Sequence, residues 1–93
     1  MLKMTKVPGL NKGKIVLYAL STCGWCAKTK KFLNEAGIAY SYIDVDLLPD
    51  RDSDDVARAI ERWNPKISFP TIVINDEDAI VGYDPDLMRE MIG

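Results

Sequence analysis

The chain has 93 residues, enough for one small domain and too few for two cores. Hydrophobic residues make up 47% and charged residues 28%, which points to a folded globular chain, and no apolar run approaches the roughly 18 residues of a membrane span. The net charge of −2 is unevenly spread: residues 1–34 carry seven lysines and no acid, and the remainder holds all 14 acids against five basic groups. An acidic total without a recognised binding motif argues against nucleic acid. The positive first third favours thiolates and attracts acidic partners or anionic thiols.

Residues 1–13 contain three lysines but lack an apolar core of secretory-signal length, so they are expected to form a flexible tail on a cytoplasmic protein, with the folded domain at 14–93. Residues 15–20, Ile-Val-Leu-Tyr-Ala-Leu, form a continuous apolar run of strand length, as in a central strand covered on both faces. Ser21 and Thr22 offer N-cap oxygens for a helix over about residues 23–36, with Phe32, Leu33 and Ala36 on its inner stripe. Gly37 fits the left-handed position after that helix, and Ile38 can fold back on Leu33.

Residues 40–46 read as a second strand, parallel to the first because a helix joins them. Pro49 and the acids from Asp50 to Asp55 open a second helix, in which Val56, Ala59, Ile60 and Trp63 follow the i, i+3, i+4, i+7 rule. Asn64-Pro65 ends it. Residues 71–74 and 79–81 form a hairpin, and Asp84 followed by Pro85 caps a last helix with Leu87, Met88, Met91 and Ile92 on one face. The order β-α-β-α-β-β-α, with a four-stranded mixed sheet flanked by helices, is an α/β architecture of the thioredoxin-like type.

Cys23 and Cys26 are the only cysteines, and they sit at the junction of the first strand and helix. A thiol two residues from another at a helix start suits thiol–disulfide exchange, because unpaired helix N–H groups stabilise a thiolate on the first sulfur. The pair closes too short a loop to serve mainly as a staple. Two sulfurs without any histidine also fall short of a tetrahedral zinc site, so no metal is expected. With imidazolium excluded, the helix N-terminus and Lys28 or Lys31 are left to stabilise Cys23, the expected nucleophile, while Cys26 is the expected resolving thiol.

Strand-Cys23-x-x-Cys26-helix, Phe69-Pro70-Thr71 and Val81-Gly82-Tyr83-Asp84 recur in the order found in glutaredoxins, which the chain resembles over about residues 14–93. The resemblance implies a thiol–disulfide oxidoreductase without a tightly bound cofactor, with a low-molecular-weight thiol such as glutathione as possible reductant. It implies a cis bond before Pro70, which frees the Phe69 backbone to pair with a substrate strand. It also implies a substrate- or thiol-binding surface of Trp25, Phe69, Pro70, Gly82, Tyr83 and Asp84, in which Asp84 both caps the last helix and meets an ammonium group.

Three features differ from the usual pattern. Gly24 and Trp25 stand where Pro-Tyr is common between the cysteines. Leu20 replaces a basic residue that grips the glutathione carboxylate, a role for which Arg62 and Lys66 are candidates. Val81-Gly82 replaces Gly-Gly. Gly82-Tyr83-Asp84-Pro85-Asp86 is further similar to a segment of glutaredoxin-like proteins that are reduced by thioredoxin reductase and serve ribonucleotide reductase. Expected partners are therefore disulfide-containing proteins or small thiols, with those two enzymes as further candidates, and the protein is expected to be a monomer. The alternative is a [2Fe–2S] cluster carrier, with Cys23 as ligand together with a small thiol in a dimer, since some glutaredoxins bind one and Gly24 removes the proline that opposes it.

Overall fold

Five successive apolar residues, Ile15–Ala19, form strand β2, and all five are buried, as in a strand covered on both faces. The structure is a computed structural model and describes residues 3–92. Helix α1 (Gly24–Glu35) follows, and β3 (Tyr40–Asp44) then pairs with β2 in parallel. Helix α2 (Ser53–Glu61) leads to β4 (Thr71–Ile74), β5 (Asp78–Val81) and helix α3 (Pro85–Met91). Strand β4 runs antiparallel to both β2 and β5. This is the thioredoxin-like mixed sheet with helices on both sides.

The sheet has five strands where the sequence reading expects four. Thr5–Val7 forms an additional strand, β1, antiparallel to β3 with Thr5 opposite Tyr42 and Val7 opposite Tyr40, so the order is β1-β3-β2-β4-β5. Residues expected to form a flexible tail thus cover the outer edge of β3, whose backbone groups would otherwise lack partners. Leu10 continues the attachment: its N–H donates to Gly37 O at 2.7 Å, and its carbonyl accepts from Ala39 N at 2.9 Å. Gly9 permits this approach, because a Cβ there would lie 2.6 Å from the Gly37 carbonyl oxygen.

Strand pleating divides the core into two layers. Ile15, Leu17 and Ala19 face α1 and α3, where they meet Leu33, Met88 and Ile92. Val16 and Tyr18 face the opposite way, with Ile43, Val56, Ile60 and Val73. The inward stripe of α1 is Cys26, Thr29 and Leu33, with Phe32 partly buried and Ala36 exposed. Thr29 escapes a polarity penalty because its Oγ1 donates to Trp25 O at 2.9 Å.

The element ends follow local chemistry. Gly37 has φ +68, its N–H donates to Asn34 O at 3.1 Å, and Ile38 N–H donates to Leu33 O at 3.1 Å, which together make a Schellman end. Strand β3 stops at Asp44, short of the expected Asp46, because Val45–Leu47 curls into a 3₁₀ turn. A second such turn, Asp50–Asp52, precedes α2. Asp84 caps α3 as expected, with Leu87 N–H donating to its Oδ1 at 3.1 Å and Pro85 in the first turn. Asp84→Ala should cost about 1 kcal/mol, read as a fall in Tm of about 4–8 °C. Among the described residues no helix is long and apolar enough to cross a membrane.

Candidate functional site

The parallel central pair delivers the chain from β2 to the start of α1 at one end of the sheet, and both cysteines lie there. Cys23 itself is the N-cap, in extended conformation at φ −92 and ψ 119, and its Sγ accepts the Cys26 N–H at 3.2 Å. This corrects the expected caps. Ser21 bonds Asp46 instead: Ser21 N–H donates to Asp46 Oδ1 at 2.8 Å and Ser21 Oγ meets Asp46 Oδ2. Those bonds hold the Asp46 carboxyl below its ordinary range. The cap therefore places a helix N–H against the first sulfur, an interaction that stabilises negative charge there.

The two sulfurs occupy different environments. Cys23 is half-buried at the surface, whereas Cys26 is 0% exposed within the α1 layer of the core. Burial first, and then the hydrogen bond with Cys23, push the Cys26 thiol up from 9.0 to about 12, with the Leu20 backbone and the Lys30 ammonium pulling the other way. In the reduced protein Cys26 is thus a thiol at neutral pH.

A stability consequence follows from the sign of that shift. Between pH 9.0 and about 12 the unfolded chain releases a proton that folded Cys26 keeps. The reduced protein should therefore lose stability as pH rises above about 9, because the folded state binds more protons in that window. Reduced Cys26→Ala isolates the effect: wild-type Tm should fall more steeply than the variant's between pH 8 and 10.5. Parallel slopes would contradict the buried, protonated thiol.

Beside the cysteines lies a groove of about 240 Å³ lined by Trp25, Phe69, Pro70, Gly82 and Tyr83. Five of the six expected binding residues meet here, contributed by the start of α1 and by the segments flanking β4 and β5. Trp25 is 57% exposed and stacks on Tyr83, with ring centroids 5.7 Å apart and planes at 26°. Lys28 Nζ sits 4.5 Å from the Trp25 ring centroid. The Phe69-Pro70 bond is cis. Gly82, at φ +84, donates its N–H to Pro70 O at 2.8 Å and ties the two walls together. The sixth residue, Asp84, is outside the lining and caps α3.

Arg62 and Lys66 do not line the groove among the described residues. The Arg62 guanidinium instead lies 5.0 Å from the Trp63 ring centroid, and Lys66 N–H donates to Asn64 Oδ1 at 3.3 Å. A larger cavity of about 670 Å³ is bounded by Met4, Val7, Ile15 and Tyr40, at the opposite end of β2 from the cysteines. Among the described residues no three Cys, Asp or Glu side chains converge to hold a metal ion.

Two groups near the site were not singled out from the sequence. Buried Asn64 donates through Nδ2 to Ser68 Oγ at 2.9 Å and Thr71 Oγ1 at 3.2 Å, while Thr71 Oγ1 donates to Ser68 O at 2.7 Å. This latch shapes the segment that presents Phe69 and Pro70. An Asn just past a helix end, with Ser and Thr close behind, was its signal. The other is Lys30, paired with Asp44 at 2.8 Å. Its signal was weak, because the partners are 14 residues apart and belong to different elements.

The family model described as glutaredoxin matches residues 15–79. A solved structure of Methanosarcina acetivorans methanoredoxin is 47% identical with a TM-score of 0.89, covering 91% of this chain and 90% of its own. That of a glutaredoxin from Methanosarcina mazei Go1 is 43% identical with a TM-score of 0.90, covering 97% of this chain and 87% of its own. An uncharacterized glutaredoxin-like 8.6 kDa protein in the rubredoxin operon of Clostridium pasteurianum is 31% identical over 78 residues, covering 84% of this chain and 96% of the relative.

Proposed function

The chain belongs to the glutaredoxin family, and from that premise we propose that it is a dithiol thiol–disulfide oxidoreductase that reduces protein or small-molecule disulfides through Cys23 and Cys26. The observation that carries this reading is the asymmetry of the two sulfurs. Cys23 is the half-buried N-cap that accepts a helix N–H, and Cys26 is a protonated thiol wholly inside.

Cys23 Sγ, as thiolate, attacks one sulfur of the substrate disulfide RS–SR′, forming a Cys23–S–S–R bond and expelling R′S⁻ with the bonding electron pair. The expelled sulfur takes a proton from water. Cys26 then attacks Cys23 Sγ, the bond to RS breaks, and the Cys26 proton ends on RSH. The protein is left with a Cys23–Cys26 disulfide and the substrate is reduced by two electrons. Trp25, Phe69 and Tyr83 offer apolar contact to the groups flanking the attacked sulfur. This work suits a reducing compartment such as the cytoplasm.

Two classes of donor fit the return half-cycle, a small thiol such as glutathione or a thioredoxin reductase. The oxidised protein should be mixed with each donor while Trp25 fluorescence follows reduction. Rapid reduction by either supports dithiol exchange, and the faster donor identifies the physiological class. With Leu20 at the position of the usual basic grip and neither Arg62 nor Lys66 in the groove, the reductase is expected to be the faster. A disulfide that neither donor reduces would contradict the proposed function.

A further inference from the structure

A resolving thiol that is buried and protonated must nevertheless deliver a nucleophilic sulfur, and Lys30 is a cation placed one helical turn away. Lys30 follows Cys26 by four residues on α1, so the two side chains neighbour each other across one turn, with Cβ atoms about 5–6 Å apart. The Lys30 side chain is only 24% exposed and Asp44 only 16%, and their atoms Nζ and Oδ1 are 2.8 Å apart. Nζ also lies 4.2 Å from the Tyr42 ring centroid. Asp44 is brought there by the sheet, where it stands in register beside Ala19, the last residue of β2 and part of the same core layer as Cys26.

A half-buried ion pair is poor evidence of a stability role, since desolvation offsets most of its attraction. Its placement one turn along α1 from the inner sulfur is the informative feature. We propose that Lys30, held in place by Asp44, is a positioning residue for the resolving step: its ammonium stabilises the thiolate that forms on Cys26 Sγ when that sulfur gives up its proton to attack the mixed disulfide. The inference rests on the dithiol mechanism above. As Cys26 Sγ bonds to Cys23 Sγ, the bond from Cys23 to the substrate sulfur breaks, and the Cys26 proton leaves with the departing RSH.

The other titratable groups around Cys26 are engaged elsewhere or already counted. Cys23 raises the Cys26 thiol through their hydrogen bond, while Lys30 lowers it. Asp44 and Tyr42, from β3, both contact Lys30, whose charge also acts on Asp46. Asp46, beyond β3, is bonded to Ser21, and Tyr83, before α3, is stacked on Trp25.

A chromogenic aromatic disulfide separates the two steps. Reduced protein releases one aromatic thiol when Cys23 attacks and a second when Cys26 resolves the mixed disulfide. In Lys30→Met the first phase should keep its rate. The second should slow on the order of tenfold at pH 7, with its pH profile displaced to higher pH. Lys30→Arg, which keeps the charge, should restore the second phase, and Asp44→Asn, which frees Lys30, should slow it. A second phase in Lys30→Met with the wild-type rate and pH profile would overturn the proposal. Should Lys30→Met fail to fold, an unchanged second phase in Asp44→Asn would overturn it equally. Absence of the second phase from the wild type would instead sink the dithiol mechanism itself, so the two failures are distinguishable.

Discussion

Replacing Cys23 with serine should reduce disulfide turnover by about a thousandfold or more, close to the rate of uncatalysed exchange, because loss of a nucleophile removes the covalent path as a whole. The hydroxyl retains the N-cap geometry, since serine is among the best caps, so the variant should fold with an unchanged or slightly higher Tm. That combination separates chemistry from structure. Cys26 cannot stand in for the lost sulfur, being 0% exposed and protonated with its thiol pushed up to about 12. Turnover with an exchangeable disulfide substrate, measured beside thermal unfolding, checks both halves. Wild-type turnover in Cys23→Ser would overturn the assignment of the nucleophile.

Leu17→Ala should cost about 3 kcal/mol, within the 2–5 observed for buried Leu truncations, and lower Tm by about 15 °C for a domain of this size. Leu17 is 0% exposed at the middle of β2, between β3 and β4, and its side chain belongs to the layer shared with α1 and α3. The void cannot close easily, because β2 is hydrogen-bonded on both sides. Cys26 belongs to the same layer, so the loss also loosens the packing that keeps the inner thiol dry. Urea unfolding of the reduced protein measures the effect, and a loss below about 1 kcal/mol would mean the site is less constrained than its burial implies.

Most of the frame was legible because local signals agreed with tertiary need. The apolar run at residues 15–19, Gly37 after α1 and the Asp84-Pro85 start of α3 each name their element without help from elsewhere. Strand β1 was not legible. Thr5–Val7 is three residues long with only Val7 half-buried, so it lacks a hydrophobic alternation, and it exists because β3 presents an open edge. The cap of α1 was misplaced for a related reason: Ser21 and Thr22 have better cap propensity than cysteine, but Asp46 draws Ser21 away from the helix.

At the site, the Cys-x-x-Cys spacing located the cysteines, and the resemblance to glutaredoxins named the groove residues Trp25, Phe69, Pro70, Gly82 and Tyr83. What spacing could not show were contacts that only the fold creates. The Asn64 latch joins a helix end to β4, and Lys30 meets Asp44 only after β3 has docked in parallel on β2. Asp84 was legible as the cap of α3.

The division of labour between the two sulfurs is tested most directly by Cys26→Ser. Incubated with a disulfide substrate and then digested for mass spectrometry, this variant should accumulate a mixed disulfide on Cys23, because the first attack proceeds and the internal resolving thiol is absent. Recovery of the variant without a substrate adduct, under conditions in which the wild type oxidises to the Cys23–Cys26 disulfide, would contradict the account.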